Sequence, residues 1–362
     1  MKFYNLKRIL SYKSTYNVII GERSNGKTYS VLEEGIKEFF AGNGQIGIIR
    51  RWKEDIRGQR GSAMFNAHIK NGLIKKYSNG LYTGLHFYAG KFTPCNYDKK
   101  TGRAVYKENN VLAYAFALSD AEHNKSNSFP DITLLCFDEF LSNQIYLQNE
   151  FILFMSTIST IIRQRENVKI FMLGNTVSKY CPYFSEMGLN NILKMKQGEI
   201  DTYKYGKSSL TVTVEYCTSL KAFKKNNHFF AFNNPKLEMI TSGAWELNKY
   251  PHLSHKYTKK NIILTYFIDF NLVIYQCEII EVNNLIFTYI HNKTTDLKDV
   301  ESDLIYCLEA NALINYNSNL LKPINKMQKR VLWFFNNNRI FYQNNEVGDA
   351  INNFIKQCIN KR

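Results

Sequence analysis

An α/β fold with a mainly parallel sheet, followed by a linker and a smaller α+β domain, is predicted by three observations. The apolar, β-branched run Asn17-Val18-Ile19-Ile20 enters a glycine-bounded loop and then a proline-free helical segment at 29–39, the strand-loop-helix order of a parallel sheet. Further apolar runs at 45–49, 111–118, 132–137 and 168–173 alternate with helical stretches. Beyond residue 261 the pattern changes to consecutive strands and three helical stretches. The 362 residues suffice for two cores.

The first loop reads Gly21-Glu22-Arg23-Ser24-Asn25-Gly26-Lys27-Thr28, with Tyr29 opening the helix behind it. This is G-x-x-x-x-G-K-[ST], a phosphate-binding loop. Its glycines turn the backbone so that successive N–H groups face phosphate oxygens. Lys27 is placed to reach the β- and γ-phosphates, Thr28 to offer its hydroxyl to Mg²⁺, and the helix to present its positive end to the anion. The expected ligand is ATP with Mg²⁺. Residues 1–16 form a short preface to this pocket, and the helix ends at Ala41-Gly42-Asn43-Gly44.

The second strand, 45–49, delivers Arg50-Arg51-Trp52-Lys53 at its C-terminal end, where ligands sit in open α/β sheets. That cluster fits phosphates or a neighbouring subunit, and equally a solvated charge run. Residues 55–110 mix glycine with aromatics, as short antiparallel strands or an insertion do, and carry no assigned chemistry. The run 132–140 then ends in two adjacent carboxylates, Asp138 and Glu139, about 110 residues after the loop. This is a Walker B strand: Asp138 holds Mg²⁺ directly or through water, and Glu139 polarises the attacking water. Adjacent carboxylates repel each other unless a cation lies close.

A helical run at 151–162 hands over to Arg163 and Arg165, each either a finger completing a neighbour's site or a surface arginine. Strand 168–173 leads into Gly174-Asn175, and Asn175 is either the γ-phosphate sensor beside Walker B or an ordinary turn asparagine. Together these features predict a P-loop ATPase domain of the ASCE type (RecA/FtsK-like) over residues 1–218.

Residues 219–260 are rich in lysine interleaved with aromatics, a basic linker suited to nucleic-acid backbones or simply solvated. Residues 261–362 form the α+β domain, with strands at 262–275, 276–282, 284–291 and 339–343 and helices at 296–311, 324–335 and 347–359. The formal charge of +16, from 47 basic and 31 acidic residues, attracts polyanions and favours a nucleic-acid partner. Polar residues Asp269, Asn271, Gln276 and Glu278 interrupt the most apolar region, and residues 1–10 do not read as a signal peptide. A soluble protein with no membrane partner is expected. Seven scattered cysteines without C-x-x-C spacing point to reduced thiols in a cytosol rather than zinc or disulfides.

With these motifs in order, the chain resembles the genome-packaging ATPase, or encapsidation protein, of small protein-primed tailed phages of Picovirinae type, relatives of the terminase large subunits. The resemblance rests on Gly21 to Tyr29, on Ile48-Ile49-Arg50-Arg51-Trp52-Lys53-Glu54-Asp55, and on the stretches 128–140 and 173–184. It implies a homomeric ring, a pentamer, at the portal vertex of an empty capsid in the host cytoplasm, driving double-stranded DNA inward with ATP. It further implies that Lys27 and Thr28 bind ATP and Mg²⁺, Asp138 binds Mg²⁺, Glu139 is catalytic, and Arg163 or Arg165 acts in trans with Lys53 at the same interface. In one branch a structural RNA tethers the ring, and the tail is an RNase H-like domain that has lost its metal site. Here Asp269 and Asp349 stand in suitable places for such a site, while Glu281, Asp303 and Glu309 do not, which favours a non-cutting tail. The competing readings are a terminase with an active nuclease, another DNA translocase or helicase, and a non-catalytic nucleic-acid-binding protein.

Overall fold

The apolar runs of the first half become the middle of a ten-stranded sheet. The computed structural model describes residues 3–120, 128–142, 146–147, 149–176, 181–192, 194–218, 249–270, 273–295, 303–308 and 315–360. The chain divides into two compact units, residues 1–246 and 247–362. The basic linker expected at 219–260 lies outside the described residues as far as 248.

In chain order the first unit contains α1 (Lys7–Leu10), β1 (Tyr16–Gly21), α2 (Lys27–Phe40), β2 (Gln45–Arg50), α3 (Gly58–Ser62), α4 (Asn66–Lys70) and α5 (Leu73–Tyr77). There follow β3 (Gly84–Tyr88), β4 (Lys91–Tyr97), β5 (Ala104–Tyr106), β6 (Ala113–Ala117), β7 (Ile132–Asp138), α6 (Glu150–Ile162), β8 (Lys169–Asn175), α7 (Pro182–Glu186), β9 (Ile200–Lys204) and β10 (Thr211–Tyr216). The sheet runs β3-β4-β6-β2-β7-β8-β1-β10-β9, with β5 paired to β4. From β6 through β10 every pairing is parallel; β3, β4, β5 and β9 join antiparallel at the edges.

Parallel strands buried on both faces need apolar side chains at odd and even positions alike, which is why β1 and β7 read as continuous runs. Val18 and Ile20 pack with Phe154, Ile158 and Ile161 of α6, while Ile19 packs with Val31, Leu32 and Ile36 of α2 on the other side. Each fully buried aliphatic or aromatic side chain contributes about 1.5–3 kcal/mol, so these two layers hold the strand ends in place. Residues 58–77 form three short helices, α3–α5, in the region where short antiparallel strands or an insertion were expected; the antiparallel strands there are β3–β5. Leu73 and Ile74 of α5 are buried, so packing against the core holds that turn.

The second unit contains β11 (Ile262–Phe270), β12 (Val273–Val282), β13 (Leu285–Asn292), β14 (Ile305–Cys307), β15 (Tyr316–Asn317), α8 (Lys326–Asn336), β16 (Ile340–Tyr342) and α9 (Asn345–Asn360). Its sheet order is β15-β14-β11-β12-β13-β16. The three long strands are antiparallel neighbours; β14 joins β11, and β16 joins β13, in parallel. The expected helix at 296–311 is overturned where it is described. Ile305, Tyr306 and Cys307 are all buried and pair with Phe267, Ile268 and Asp269, so burial in the sheet decides a segment too short for helical periodicity. The remainder of that expected helix, with Glu309, lies outside the described residues. The break between the first two strands of this unit also falls earlier than expected, between Phe270 and Val273.

All seven cysteines are buried thiols. Among the described residues no helix is long and apolar enough to cross a membrane.

Candidate active site

The loop after β1 closes around its own lysine. Ser24 and Gly26 both take positive φ, and a Cβ at Gly26 would come within 3.1 Å of Phe3, so glycine suits the point where α2 begins. Lys27 is buried, and its Nζ donates to the carbonyl oxygens of Gly21 (3.4 Å) and Glu22 (2.7 Å) and to Oδ1 of Asn25 and Asn175 (both 3.2 Å). Burial pushes its pKa below the ordinary lysine value, against the opposing pull of Cys217, Asp138 and Glu22. The preface reaches the same loop: Tyr4 N–H donates to the Asn25 carbonyl, and Ser30 Oγ donates to the Tyr4 carbonyl.

Thr28, one residue on, donates its hydroxyl to Oδ1 of Asp138 at 2.8 Å. The lysine-threonine pair and the aspartate-glutamate pair, so far apart in sequence, therefore line one cleft of about 710 Å³. Arg23, Ser24, Asn25, Gly26 and Tyr29 line it as well, together with Glu139 and Asn175. Gly21 and Glu22 do not face the cleft; their part is to hold Lys27 through their carbonyls. Asn175 ends β8, which lies between β1 and β7, and this order brings its amide to the lysine. A threonine hydroxyl and an aspartate carboxylate in contact are the oxygen donors a hard divalent cation takes, and the ammonium and helix start beside them suit phosphate. Residues 3–218 thus contain a cleft whose donors suit a nucleotide's phosphates and a divalent cation.

The arginines do not all behave as expected. Arg165 has each of its five N–H groups on a backbone carbonyl, those of Phe129, Pro130, Ile132, Ile161 and Ile162, at 2.6–3.0 Å. Its guanidinium staples the end of α6 to the start of β7, so within this chain every N–H of Arg165 is engaged. Arg163 caps α6 in the left-handed conformation and is exposed. Lys53 is not a wall of the cleft; its Nζ pairs with Asp120 at 2.5 Å.

Two residues carry more than the sequence suggested. Arg50 donates to Asp138 Oδ2 at 2.7 Å and pairs with Glu139 Oε2 at 3.0 Å, bridging both carboxylates. The buried Arg51 pairs through Nε with Glu150 Oε2 at 2.7 Å and donates to the carbonyls of Glu139 and Phe140. Period-two alternation at a strand end was the available signal: adjacent residues leave toward opposite faces.

In the second unit, Glu278 is buried and accepts from Tyr257 (2.5 Å) and Gln276 (2.7 Å), with His291 Nε2 at 3.7 Å. Asp349 accepts from the Tyr250 hydroxyl at 2.9 Å. Among the described residues no group of three or more His, Cys, Asp or Glu side chains is arranged to hold a metal.

Known proteins resemble the chain in both sequence and fold. The DNA packaging proteins of Bacillus phages PZA and phi29 are each 30% identical to it over 185 residues, which is 50% of this chain and 49% of theirs. The chain thus spans about half the length of the curated relatives it matches. The bacteriophage Phi-29 viral genome packaging motor assembly superimposes with TM-score 0.59 at 19% identity, covering 98% of this chain and 99% of that one. The Phi-28 gp11 DNA packaging motor does so with TM-score 0.56 at 20% identity, covering 98% of each. At such identities the likeness speaks for the fold alone. The family described as Podovirus DNA encapsidation protein (Gp16) matches residues 1–197, a stretch that contains every residue of the cleft described above, and the chain belongs to that family.

Proposed function

We propose that this chain is the ATPase of a DNA-packaging motor, binding ATP with Mg²⁺ in the cleft between β1 and β7 and using its hydrolysis to drive double-stranded DNA into a preformed capsid. The observation that carries the reading is the 2.8 Å hydrogen bond from Thr28 to Asp138, with Lys27 and Glu139 in the same cleft. Lys27 holds the β- and γ-phosphates, and the loop amides and the N-terminus of α2 hold the remaining phosphate oxygens. Thr28 and Asp138 are the residues that would hold Mg²⁺, which when bound neutralises charge on the transferring phosphoryl group. Glu139 orients the attacking water, and Asn175 reports on the γ-phosphate. Two features agree with an ASCE-type P-loop domain: β8 inserted between the loop strand and the carboxylate strand, and the parallel run from β6 to β10.

The packaging role follows from membership of the encapsidation family and from the charge of +16, which suits a duplex partner. The expected assembly is a homomeric ring, a pentamer, at the portal vertex in the host cytoplasm, with Arg163 and Lys53 acting across the subunit interface and a structural RNA as a further tether. In the second unit, the antiparallel β13-β12-β11 followed by the parallel β14 and β15 agrees with an RNase H-like sheet. We read that domain as a nucleic-acid-binding tail without nuclease activity.

The test is ATP turnover with and without duplex DNA. Hydrolysis is expected to be DNA-stimulated and to fall to a small residual rate in Glu139→Gln while Mg-ATP binding persists in isothermal titration. Wild-type turnover by that variant would refute the assignment. A helicase, the nearest rival, would separate strands in a displacement assay, and a packaging motor is expected to leave the duplex intact.

A further inference from the structure

Glu139 stands at φ +61°, a left-handed conformation that a residue with a side chain seldom adopts unless its surroundings impose it. The surroundings are on hand. Arg51 Nη1 donates to the Glu139 carbonyl at 3.2 Å and Nη2 donates to the Phe140 carbonyl at 2.7 Å, so one guanidinium grips two successive peptide units. Glu150, the first residue of α6, holds that guanidinium at two points, Oε2 on Nε at 2.7 Å and Oε1 on Nη2 at 2.9 Å. Glu150 is itself held by the Tyr183 hydroxyl (2.9 Å) and the Leu147 N–H (2.8 Å), and the Arg51 guanidinium lies over the Tyr146 ring at 4.9 Å. The Phe140 N–H meanwhile donates to the Leu173 carbonyl on β8. An ion pair this deeply buried needs near-complete hydrogen bonding to be tolerated, and here its spare bonds are spent on the backbone of Glu139 and its neighbour.

We propose that Arg51 and Glu150 are positioning residues for hydrolysis: they fix the main chain of Glu139 and thereby aim its carboxylate, while Arg50 balances its charge. This rests on the ATPase reading above. The two adjacent arginines divide the task, one gripping backbone and the other side chains.

The experiment compares full-length Glu150→Gln and Arg51→Lys, each alone and combined with Glu139→Gln, by steady-state ATP turnover and by titration of Mg-ATP affinity. Each single variant is expected to lose about tenfold or more in kcat, because sub-ångström misplacement of a catalytic group is costly, with ATP affinity within about twofold of wild type. Added to Glu139→Gln, neither is expected to lower the residual rate further, since both act through that residue. A folded Glu150→Gln protein with wild-type kcat, or a full additional loss on top of Glu139→Gln, would overturn the proposal. If Glu150→Gln does not fold, Tyr183→Phe, which removes one bond to Glu150, is expected to lower kcat severalfold at unchanged affinity, and unchanged kcat there would count against it. Wild-type turnover by Glu139→Gln sinks the ATPase reading itself, whereas an inactive Glu139→Gln beside a fully active Glu150→Gln sinks only the positioning role.

Discussion

At the C-terminal end of β7, Asp138 and Glu139 are held by the guanidinium of Arg50 beside an open cleft, whereas in the second unit Glu278 and Asp349 are held by tyrosine hydroxyls and a glutamine amide. Both settings satisfy a carboxylate, but in chemically different ways. A cationic partner at a cleft can be exchanged for another cation or drawn toward an anionic ligand, so the first arrangement can respond to Mg²⁺ and phosphate. Hydroxyl and amide donors, with His291 beside Glu278, satisfy a buried carboxylate from within the fold, which makes the second a polar element of a core. Carboxylate identity alone therefore says little about function; what donates to it, and whether a cleft adjoins it, says more.

The sharpest way to break this contrast lies in the cleft. Lys27→Ala is expected to weaken Mg-ATP binding by about 100-fold or more and to abolish turnover, because a buried ammonium facing the phosphates has no substitute in the loop. An ATP affinity within fivefold of wild type would remove the distinction between the two settings. A smaller effect is expected from Arg50→Gln, which leaves Asp138 and Glu139 adjacent without their shared cation. Thermal unfolding in Mg²⁺-free buffer is expected to show a loss of about 1–3 kcal/mol, largely recovered on adding millimolar Mg²⁺. Melting that is indifferent to Mg²⁺ would mean the carboxylates do not need a cation.

Glu278→Gln gives the smallest expected change and probes the other side. Burial raises the Glu278 carboxyl, but His291, Tyr257 and Gln276 outweigh it and hold the pKa below its ordinary 4.5. The unfolded chain then binds more protons than the folded one as pH falls, so this stabilisation is full above about 4.5 and is lost below it. Denaturant unfolding of Glu278→Gln should show a shallower loss of stability below pH 5 than wild type, with ATP turnover within twofold. An unchanged acid slope would contradict the role given to those neighbours.

Much of the nucleotide cleft was legible in the chain itself. Arg23 to Thr28, Asp138-Glu139 and Asn175 were readable because each sits at a strand end or turn of the motif, and strand ends follow from apolar runs of fixed length. The roles of the arginines were not. Arg50, Arg51, Arg163 and Arg165 are one residue type in similar basic surroundings, yet one bridges two carboxylates, one is buried against Glu150 and one fills five backbone carbonyls. Which partner an arginine meets depends on elements that approach it from elsewhere: β7 beside β2, α6 over the sheet, and the segment 129–132 beneath the end of α6. The same holds for Ile305 to Cys307, whose strand exists because β11 offers an edge.

Local pattern thus determined the parallel sheet, the phosphate loop and the carboxylate strand, since those are properties of consecutive residues and their periodicity. Tertiary structure alone decided which charges meet at the cleft, because Arg50 and Arg51 pair with carboxylates 88 and 99 positions away, and nothing in a linear chain records the distance between them until the sheet has ordered its strands.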